Sequence, residues 1–249
     1  MKFDRLYERA KILGCDHVAT GHYARIEEQD GKLVLKKALD PAKDQSYVLY
    51  TMTQEQLAHT LFPLGGYSKP EARKLAEDGG LVNAEKPDSQ DICFAPDGDY
   101  AAAIERFTGK QPQPGNFVDA AGNILGQHKG IVHYTIGQHR GLGLGQNERA
   151  YVCKICPADN TVVLGPSEAL FRREASATEV NWISGSAPEG AIRCCVKVRY
   201  RQTEQPATVT PRADGGIDIL FDEPQRAITP GQAAVLYDGD VVLGGGVLA

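Results

Sequence analysis

The strongest constraint on the fold is a change in hydropathy period near residue 167. In residues 192–201, apolar side chains at the even positions alternate with Arg or Lys at four of the odd positions. A period of two is typical of a strand with one buried face, so alternation predicts that Tyr200 points inward. The dipeptide Asp238-Gly239 joins two later runs as a hairpin. Short strands at this spacing predict a small β-sandwich or β-barrel over residues 166–249.

The N-terminal part follows a helix-then-strand rhythm instead. Residues 3–13 place apolar side chains on one helical face, and the strand-like run His17–Thr20 follows at once, which is typical of α/β proteins. Gly21 and His22 come just after this run, where the strands of open parallel sheets end and bind ligands. The dipeptide Asp30-Gly31 then predicts the turn of a β-hairpin.

Two further helices are predicted from capping chemistry. Thr53 is followed three residues later by Gln56, and Ser68 by Glu71, so each pair fits a capping box at a helix start. The second helix is expected to end at Gly79-Gly80, because glycine readily adopts the left-handed conformation at a helix end.

The middle of the chain is punctuated by loop-forming residues. Residues 83–98 show little periodicity and predict a loop, and the Gly- and Gln-rich stretch 111–146 opens a β-rich segment. Three domains are therefore predicted, over residues 1–85, 86–165 and 166–249.

Composition narrows the class of protein. The 249 residues carry 27 Lys+Arg against 32 Asp+Glu, a net charge of −5, with 42% hydrophobic residues, which excludes a wholly disordered or collagen-like chain. The sequence contains no apolar run of the length that a membrane span needs, and the charged start, Met1–Arg5, is unlike a signal peptide. We therefore expect a cytoplasmic protein. The negative net charge argues against a protein that binds nucleic acid through its overall electrostatic field. It does not exclude a local stripe of basic residues.

Cys93 is the first candidate for chemistry. It lies in a polar stretch, Asp88–Phe94, and a partly exposed thiol becomes reactive when its thiolate is stabilised. The two nearby aspartates oppose that stabilisation. The alternative is a buried cysteine that anchors the loop together with its apolar neighbours.

The other cysteines predict no metal site. Cys153 and Cys156 form a C-x-x-C pair, but a structural zinc site needs four ligands. Cys194 and Cys195 are adjacent in an alternating strand and should point to opposite faces. The histidines show no H-x-x-x-H spacing, and no G-x-x-x-x-G-K-[ST] phosphate loop occurs.

Two polar segments are candidates for ligand contacts. One face of one strand is expected to carry four cations, Arg193, Lys197, Arg199 and Arg201. They could contact successive phosphates of a nucleic acid, or they could form an ordinary solvated face. The Lys43–Ser46 loop mixes donors and acceptors. Such a loop can hold a polar ligand, or it can simply satisfy its own backbone.

Taken together, several stretches resemble a single family, the bacterial tRNA-specific 2-thiouridylases, and they occur in the same order as in that family. The stretches are Ala19–Arg25, Lys43–Tyr47, Asp88–Phe94, Tyr134–Gln138, Gly141–Gly143, Val198–Gln202, Phe221–Pro224, Thr229–Gln232 and Leu243–Gly246. The resemblance implies a fold in three parts: the α/β remnant of a PP-loop ATP pyrophosphatase (adenine nucleotide alpha hydrolase-like) domain, a small β-rich central domain and a C-terminal β-barrel.

The resemblance also implies an activity and its residues. In this family ATP, as Mg-ATP, adenylates the C2 oxygen of the wobble uridine in tRNA, and a cysteine persulfide delivers the sulfur. Cys93 is similar to the persulfide-carrying cysteine, and Gly21 to a glycine that contacts ATP. The remaining matches imply tRNA contacts, at His22 beside the target nucleotide, at Lys43, Asp44 and Gln45 in one loop, and at Arg199, Tyr200 and Gln232 in the barrel.

One departure from the family pattern affects the expected activity. Family members carry an S-G-G-x-D-S phosphate loop and a second catalytic cysteine, which closes a disulfide as sulfur is released, and neither feature is found here. We therefore expect an N-terminally truncated member that does not thiolate tRNA alone. The expected partners are tRNA, a sulfur-relay protein or cysteine desulfurase, and a separately encoded N-terminal half. The alternatives are a non-catalytic tRNA-binding module and a persulfide relay acting through Cys93.

Overall fold

The computed structural model describes residues 2–81, 100–144 and 150–249. The chain divides into two compact units, one made of residues 1–86, 173–223 and 230–249 and the other of residues 87–172 and 224–229. The domain bounds expected from the sequence stay a prediction. The α-helices of the described residues are α1 (Lys2–Ile12), α2 (Gln54–Ala58), α3 (Lys69–Asp78) and α4 (Tyr100–Thr108). In the described residues no helix combines the length and the apolarity required to cross a bilayer.

The strands of the first unit form a small parallel pair and one large sheet. The parallel pair is β1 (Val18–Ala19) with β4 (Thr60–Leu61). The large sheet contains β2 (Ala24–Gln29), β3 (Lys32–Lys37), β9 (Phe171–Trp182), β10 (Ile192–Lys197), β11 (Gln205–Pro211), β12 (Ile217–Arg226), β13 (Ala233–Asp238) and β14 (Val241–Leu248).

The predicted helices and turns of the N-terminal part are confirmed. Both capping boxes form, with Thr53 accepting from the Gln56 amide and Ser68 from the Glu71 amide. Helix α3 ends at Asp78, with Gly79 as its C-cap and Gly80 in the left-handed conformation at φ 65°, as expected. In the β2–β3 hairpin, Asp30 and Gly31 have φ values of 51° and 73°, the two left-handed positions of a type I′ turn.

The C-terminal strands close into a barrel. The order β13-β10-β11-β12-β9-β14 is completed by pairing of β13 with β14, so the barrel reading is confirmed over the sandwich. Ile217, Ile219 and Phe221 alternate inward on β12 and are buried. Hairpin β2–β3 extends this sheet, since Leu35 pairs with Val242 of β14.

The prediction that Tyr200 points inward is wrong. Strand β10 ends at Lys197, and the chain then reverses in a turn that the Gln202 amide closes by donating to the Arg199 carbonyl. Alternation therefore stops before Arg199, and the Tyr200 side chain is 43% exposed. Arg199 and Arg201 accordingly lie outside the strand that was expected to carry all four cations.

The second unit contains a four-stranded sheet with the order β6-β5-β8-β7. Its strands are β5 (Gly115–Val118), β6 (Ile124–His128), β7 (Tyr151–Cys156) and β8 (Thr161–Gly165). Strands β5 and β8 are parallel, and the other pairs are antiparallel. Phe117, Val152 and Val162 are fully buried at its core, so the predicted β-rich central part is confirmed.

Candidate functional site

Cys93 lies outside the described residues, within 82–99. Its role as the sulfur-carrying thiol stays a prediction from the sequence. The candidate site is therefore built from the other residues that the sequence singles out.

Gly21 and His22 follow strand β1 at its carboxyl end. The Thr20 amide donates to the Leu61 carbonyl at 3.1 Å, and the Thr20 hydroxyl lies 2.9 Å from His22 Nδ1. The His22 ring is 6.0 Å from the Phe62 ring between centroids. This geometry fixes the imidazole at the edge where the parallel strands end.

This edge does not form a complete site for the phosphates of ATP. A phosphate site of that kind uses converging backbone amides, usually at a helix N-terminus. After β1 the chain passes through residues 20–23 directly into strand β2, without a helix. Gly21 is exposed and leaves room for a ligand, since a Cβ built on it would meet only Leu64 Cδ1, at 3.7 Å. The described residues thus fit a contact to ATP but not the cradle of its phosphates.

The Lys43–Ser46 loop is held by its own side chains. The Asp44 carboxylate accepts from the amide of Ala38 at 3.0 Å, the amide of Ser46 at 3.2 Å and the hydroxyl of Ser46 at 2.8 Å. Gln45 exchanges two hydrogen bonds with the backbone of Tyr23, one through its side-chain oxygen and one through its own amide. These bonds tie the loop to the residue that follows His22.

Tyr200 lies beside this loop although 156 residues separate it from Asp44. Its hydroxyl is 3.5 Å from the Asp44 carbonyl, a long contact. Its ring meets the Tyr47 ring edge-on, with centroids 5.8 Å apart. The Lys197 ammonium lies 5.7 Å from the Tyr47 ring centroid and 5.9 Å from that of Tyr200, within cation–π range.

Gln232 joins the same region through its neighbour. The Tyr47 hydroxyl donates to the Ala233 carbonyl at 2.8 Å, and Gln232 itself is exposed. We call this region the Tyr200 surface, defined by Lys43, Lys197, Arg199, Tyr200 and Gln232. It includes the barrel contacts predicted from the sequence and Lys43, because they belong to the segments that contact Tyr47 and Tyr200.

The Tyr200 phenol is uncharged and lies close to positively charged side chains. Burial raises the pKa of Tyr200, Asp44 raises it further, and the positive charges of Arg201 and Lys43 counteract the rise. The phenol is therefore neutral near pH 7 and its ring is available for stacking. The Asp44 carboxylate is turned toward backbone amides.

Arg193, the first cation of the predicted strip, is neutralised elsewhere. Its guanidinium makes two parallel hydrogen bonds to the Asp222 carboxylate, at 2.8 and 2.6 Å, and this bidentate contact lowers the pKa of Asp222. The cationic strip is thus interrupted. Lys197, the last residue of β10, and Arg201, beyond the strand, lie near Tyr200 instead.

The described cysteines differ in exposure: Cys194 is buried, Cys15 is exposed, and the remaining three are half-buried. Burial raises the pKa of Cys194 to about 12 and also raises the pKa of Cys153. Within residues 2–81, 100–144 and 150–249 there is no group of three or more His, Cys, Asp or Glu placed to hold a metal ion.

Sequence reasoning missed Tyr47. It is 6% exposed, and it contacts the 199–200 turn and the segment at Ala233. The signal that could have found it is its place in the Lys43–Tyr47 stretch, where the polar residues drew attention instead.

Comparison with known proteins covers almost the whole chain. Residues 1–97 match a family model described as the tRNA methyl transferase HUP domain, residues 103–166 its PRC-barrel domain, and residues 172–248 an aminomethyltransferase beta-barrel domain.

Relatives named tRNA-specific 2-thiouridylase MnmA align with the full length of the chain. The protein of Clostridioides difficile is 49% identical over 250 residues, covering 100% of this chain and 69% of the relative. That of Acetivibrio thermocellus is 47% identical, with 100% and 70% covered. That of Geotalea uraniireducens is 51% identical over 247 residues, with 99% and 66% covered.

Proposed function

The chain belongs to the family of tRNA-specific 2-thiouridylases, and on that premise we propose that its Tyr200 surface binds tRNA for transfer of sulfur to C2 of the wobble uridine. The observation that carries the proposal is that the exposed Tyr200 ring lies against the Lys43–Tyr47 segment, with Lys197 near both tyrosine rings. The Tyr47 hydroxyl also binds the residue next to Gln232. Bases of single-stranded loops stack on exposed aromatic rings, and cations around the ring attract phosphates.

Within this proposal the predicted contacts divide into two groups. Arg199, Tyr200, Lys43 and Gln232 touch the RNA. Asp44 and Gln45 act by holding the loop, because their side-chain oxygens already accept from backbone amides. His22 lies near the target nucleotide, and Gly21 contacts ATP.

Sulfur transfer is assigned to Cys93. Its persulfide would attack C2, forming a carbon–sulfur bond while the adenylylated oxygen leaves with AMP. A second thiol would then attack Cys93, so that the sulfur–sulfur bond breaks, sulfur stays on the uridine and a disulfide forms. ATP supplies only the leaving group. A thiol reductant would first reduce the disulfide back to two thiols, and a sulfur-relay protein or cysteine desulfurase would then transfer a new persulfide sulfur to Cys93.

These 249 residues contain no S-G-G-x-D-S sequence. We therefore expect them, used alone, to bind tRNA without forming 2-thiouridine. The assay incubates the 249-residue protein with ATP, a persulfide donor and substrate tRNA, and then digests the tRNA and quantifies 2-thiouridine. Substantial product would overturn this expectation. Product that appears only after a separate N-terminal half of a relative is added would support it.

Binding itself is tested by titrating labelled tRNA at fixed salt. Arg199→Ala and Tyr200→Ala should each weaken binding about fivefold or more, and Arg199→Ala should also make the salt dependence shallower. Arg212→Ala is the matched control, because it removes the same charge from a turn where Arg212 pairs with Asp214 and Asp218. Equal losses for Arg199→Ala and Arg212→Ala would reject the Tyr200 surface.

The role of Cys93 is tested separately. Cys93→Ser should leave tRNA affinity unchanged. Alkylation of the wild-type protein, followed by peptide mapping, should label Cys93 faster than the other cysteines if it carries sulfur. Slow labelling of Cys93 with intact tRNA binding would favour a non-catalytic tRNA-binding module.

A further inference from the structure

Tyr47 occupies the centre of the Tyr200 surface without being one of its exposed members. It sits in the 3-10 helix Ser46–Leu49, directly after the Lys43–Gln45 loop, and its ring is almost completely buried. From there it reaches two segments that lie 150 residues or more further along the chain. A buried side chain in this position can determine where exposed neighbours point.

The contacts of Tyr47 fix both the ring and the hydroxyl. The hydroxyl donates to the Ala233 carbonyl at 2.8 Å, which anchors the segment that begins with Gln232. The ring presents a face 64° from the Tyr200 plane at 5.8 Å, an edge-on geometry that aromatic pairs favour. Lys197 lies near both rings.

The hydroxyl remains a donor over the physiological pH range. Burial, with a smaller contribution from Tyr50, raises the pKa of Tyr47 to about 12. The nearby charge of Arg199 acts in the opposite direction. The anchor therefore does not switch off near neutral pH.

We infer that Tyr47 is a positioning residue for RNA binding, which holds the Tyr200 ring as a stacking platform for an unpaired base and ties the loop at Lys43 to the segment at Gln232. This inference rests on the proposed function. It assigns to Tyr47 no contact with the RNA, so its effect on binding must pass through Tyr200 and the segments that it anchors.

A double-mutant cycle in the full chain tests this, with an anticodon stem–loop RNA as the probe. Tyr200→Ala should weaken binding about tenfold, and Tyr47→Leu by a similar factor. The double variant should lose about thirtyfold, well below the hundredfold product of the two separate losses, because only the anchor at Ala233 still depends on Tyr47 once Tyr200 is gone. Tyr47→Phe keeps the ring contact but loses the bond to Ala233, so a loss of about threefold is expected.

The matched control is Tyr50→Leu, three residues further on, whose ring packs toward Gly245 of β14. Combined with Tyr200→Ala, it should give the product of the two separate effects. Circular dichroism and thermal unfolding verify that each variant is folded, and Tyr47→Met, which also lacks the ring, takes the place of Tyr47→Leu if the latter is not.

The outcomes separate the two proposals. If Tyr200→Ala leaves affinity unchanged, the Tyr200 surface and this inference are both overturned. If Tyr200→Ala weakens binding but the double variant with Tyr47→Leu loses about a hundredfold, the surface stands and the positioning role of Tyr47 is overturned.

Discussion

Replacing Asp44 by alanine tests whether this carboxylate holds the loop or contacts the RNA. In the wild type it accepts from the amides of Ala38 and Ser46 and from the Ser46 hydroxyl. Ser46 is fully buried and Ala38 nearly so, which leaves their amides without an acceptor in Asp44→Ala. The Ser46 hydroxyl still has Tyr237 as a neighbour, at 3.3 Å. A stranded buried donor costs about 1 to 3 kcal/mol, so two amides predict a loss of about 2 to 4 kcal/mol, given that Asp44 is half-exposed.

Urea unfolding followed by tryptophan fluorescence measures this loss. Trp182 is the only tryptophan in the sequence, and it belongs to the same unit as Asp44, so its emission reports on that unit. Asp44→Ala should lower the unfolding midpoint and weaken tRNA binding together, because the loop at Lys43 loses its support. A loss of about 2 to 4 kcal/mol is a large part of the stability of a typical domain.

Asp44→Asn is the conservative control. Its amide oxygen can still accept from the two backbone amides, and the Ser46 hydroxyl can rotate to accept from its NH₂ group. Stability and affinity should therefore both stay close to wild type. If Asp44→Asn loses affinity as strongly as Asp44→Ala while its unfolding midpoint is unchanged, the carboxylate contacts the RNA, and the holding role is refuted.

Three further predictions follow from single contacts. Arg193→Ala should leave tRNA affinity within about twofold of wild type, because its guanidinium is occupied by Asp222; a tenfold loss would show that the cationic strip acts along β10. Gly65→Ala should cost about 3 kcal/mol or more in unfolding free energy, since its Cβ would lie 1.7 Å from a backbone carbonyl oxygen, whereas Gly66→Ala has open space and should be tolerated. Burial raises the pKa of Cys194 to about 12, above the value near 8.5 of an unfolded thiol. The contribution of Cys194 to stability is therefore complete below about pH 8.5 and is lost as the pH rises toward 12. Above pH 9 the urea midpoint of the wild type should fall relative to that of Cys194→Ala, and a constant difference between the two would contradict this.

Features with local causes were predictable from the sequence. The capping boxes at Thr53 and Ser68 depend on side chains that lie three residues apart, and the turn at Asp30-Gly31 depends on two residues that accept positive φ. Alternation likewise identified the buried face of β12, because every second residue on a strand points to the same side.

The site depended on contacts that no local pattern encodes. The end of β10 at Lys197 is set by the turn that leads to β11, and this turn brings Tyr200 to the surface. The pairing of Arg193 with Asp222, 29 residues away, removes one cation from the predicted strip. In both cases hydropathy alone could not reveal the tertiary partner.

The three predicted domains place the loop at Lys43 in the N-terminal domain, but in the structure this loop is attached to the sheet of the barrel. Hairpin β2–β3 precedes the loop and joins the barrel sheet through β14, and Arg25 and Lys36 of this hairpin both bind Asp240, at 2.7 and 3.2 Å. The loop and the Arg199–Tyr200 turn are therefore attached to one continuous sheet. That sheet fixes the relative position of the loop and the turn, so RNA binding by the Tyr200 surface does not require the parallel β1–β4 pair to be held in place. The predicted contacts of Gly21 and His22 do require it, because both residues follow β1.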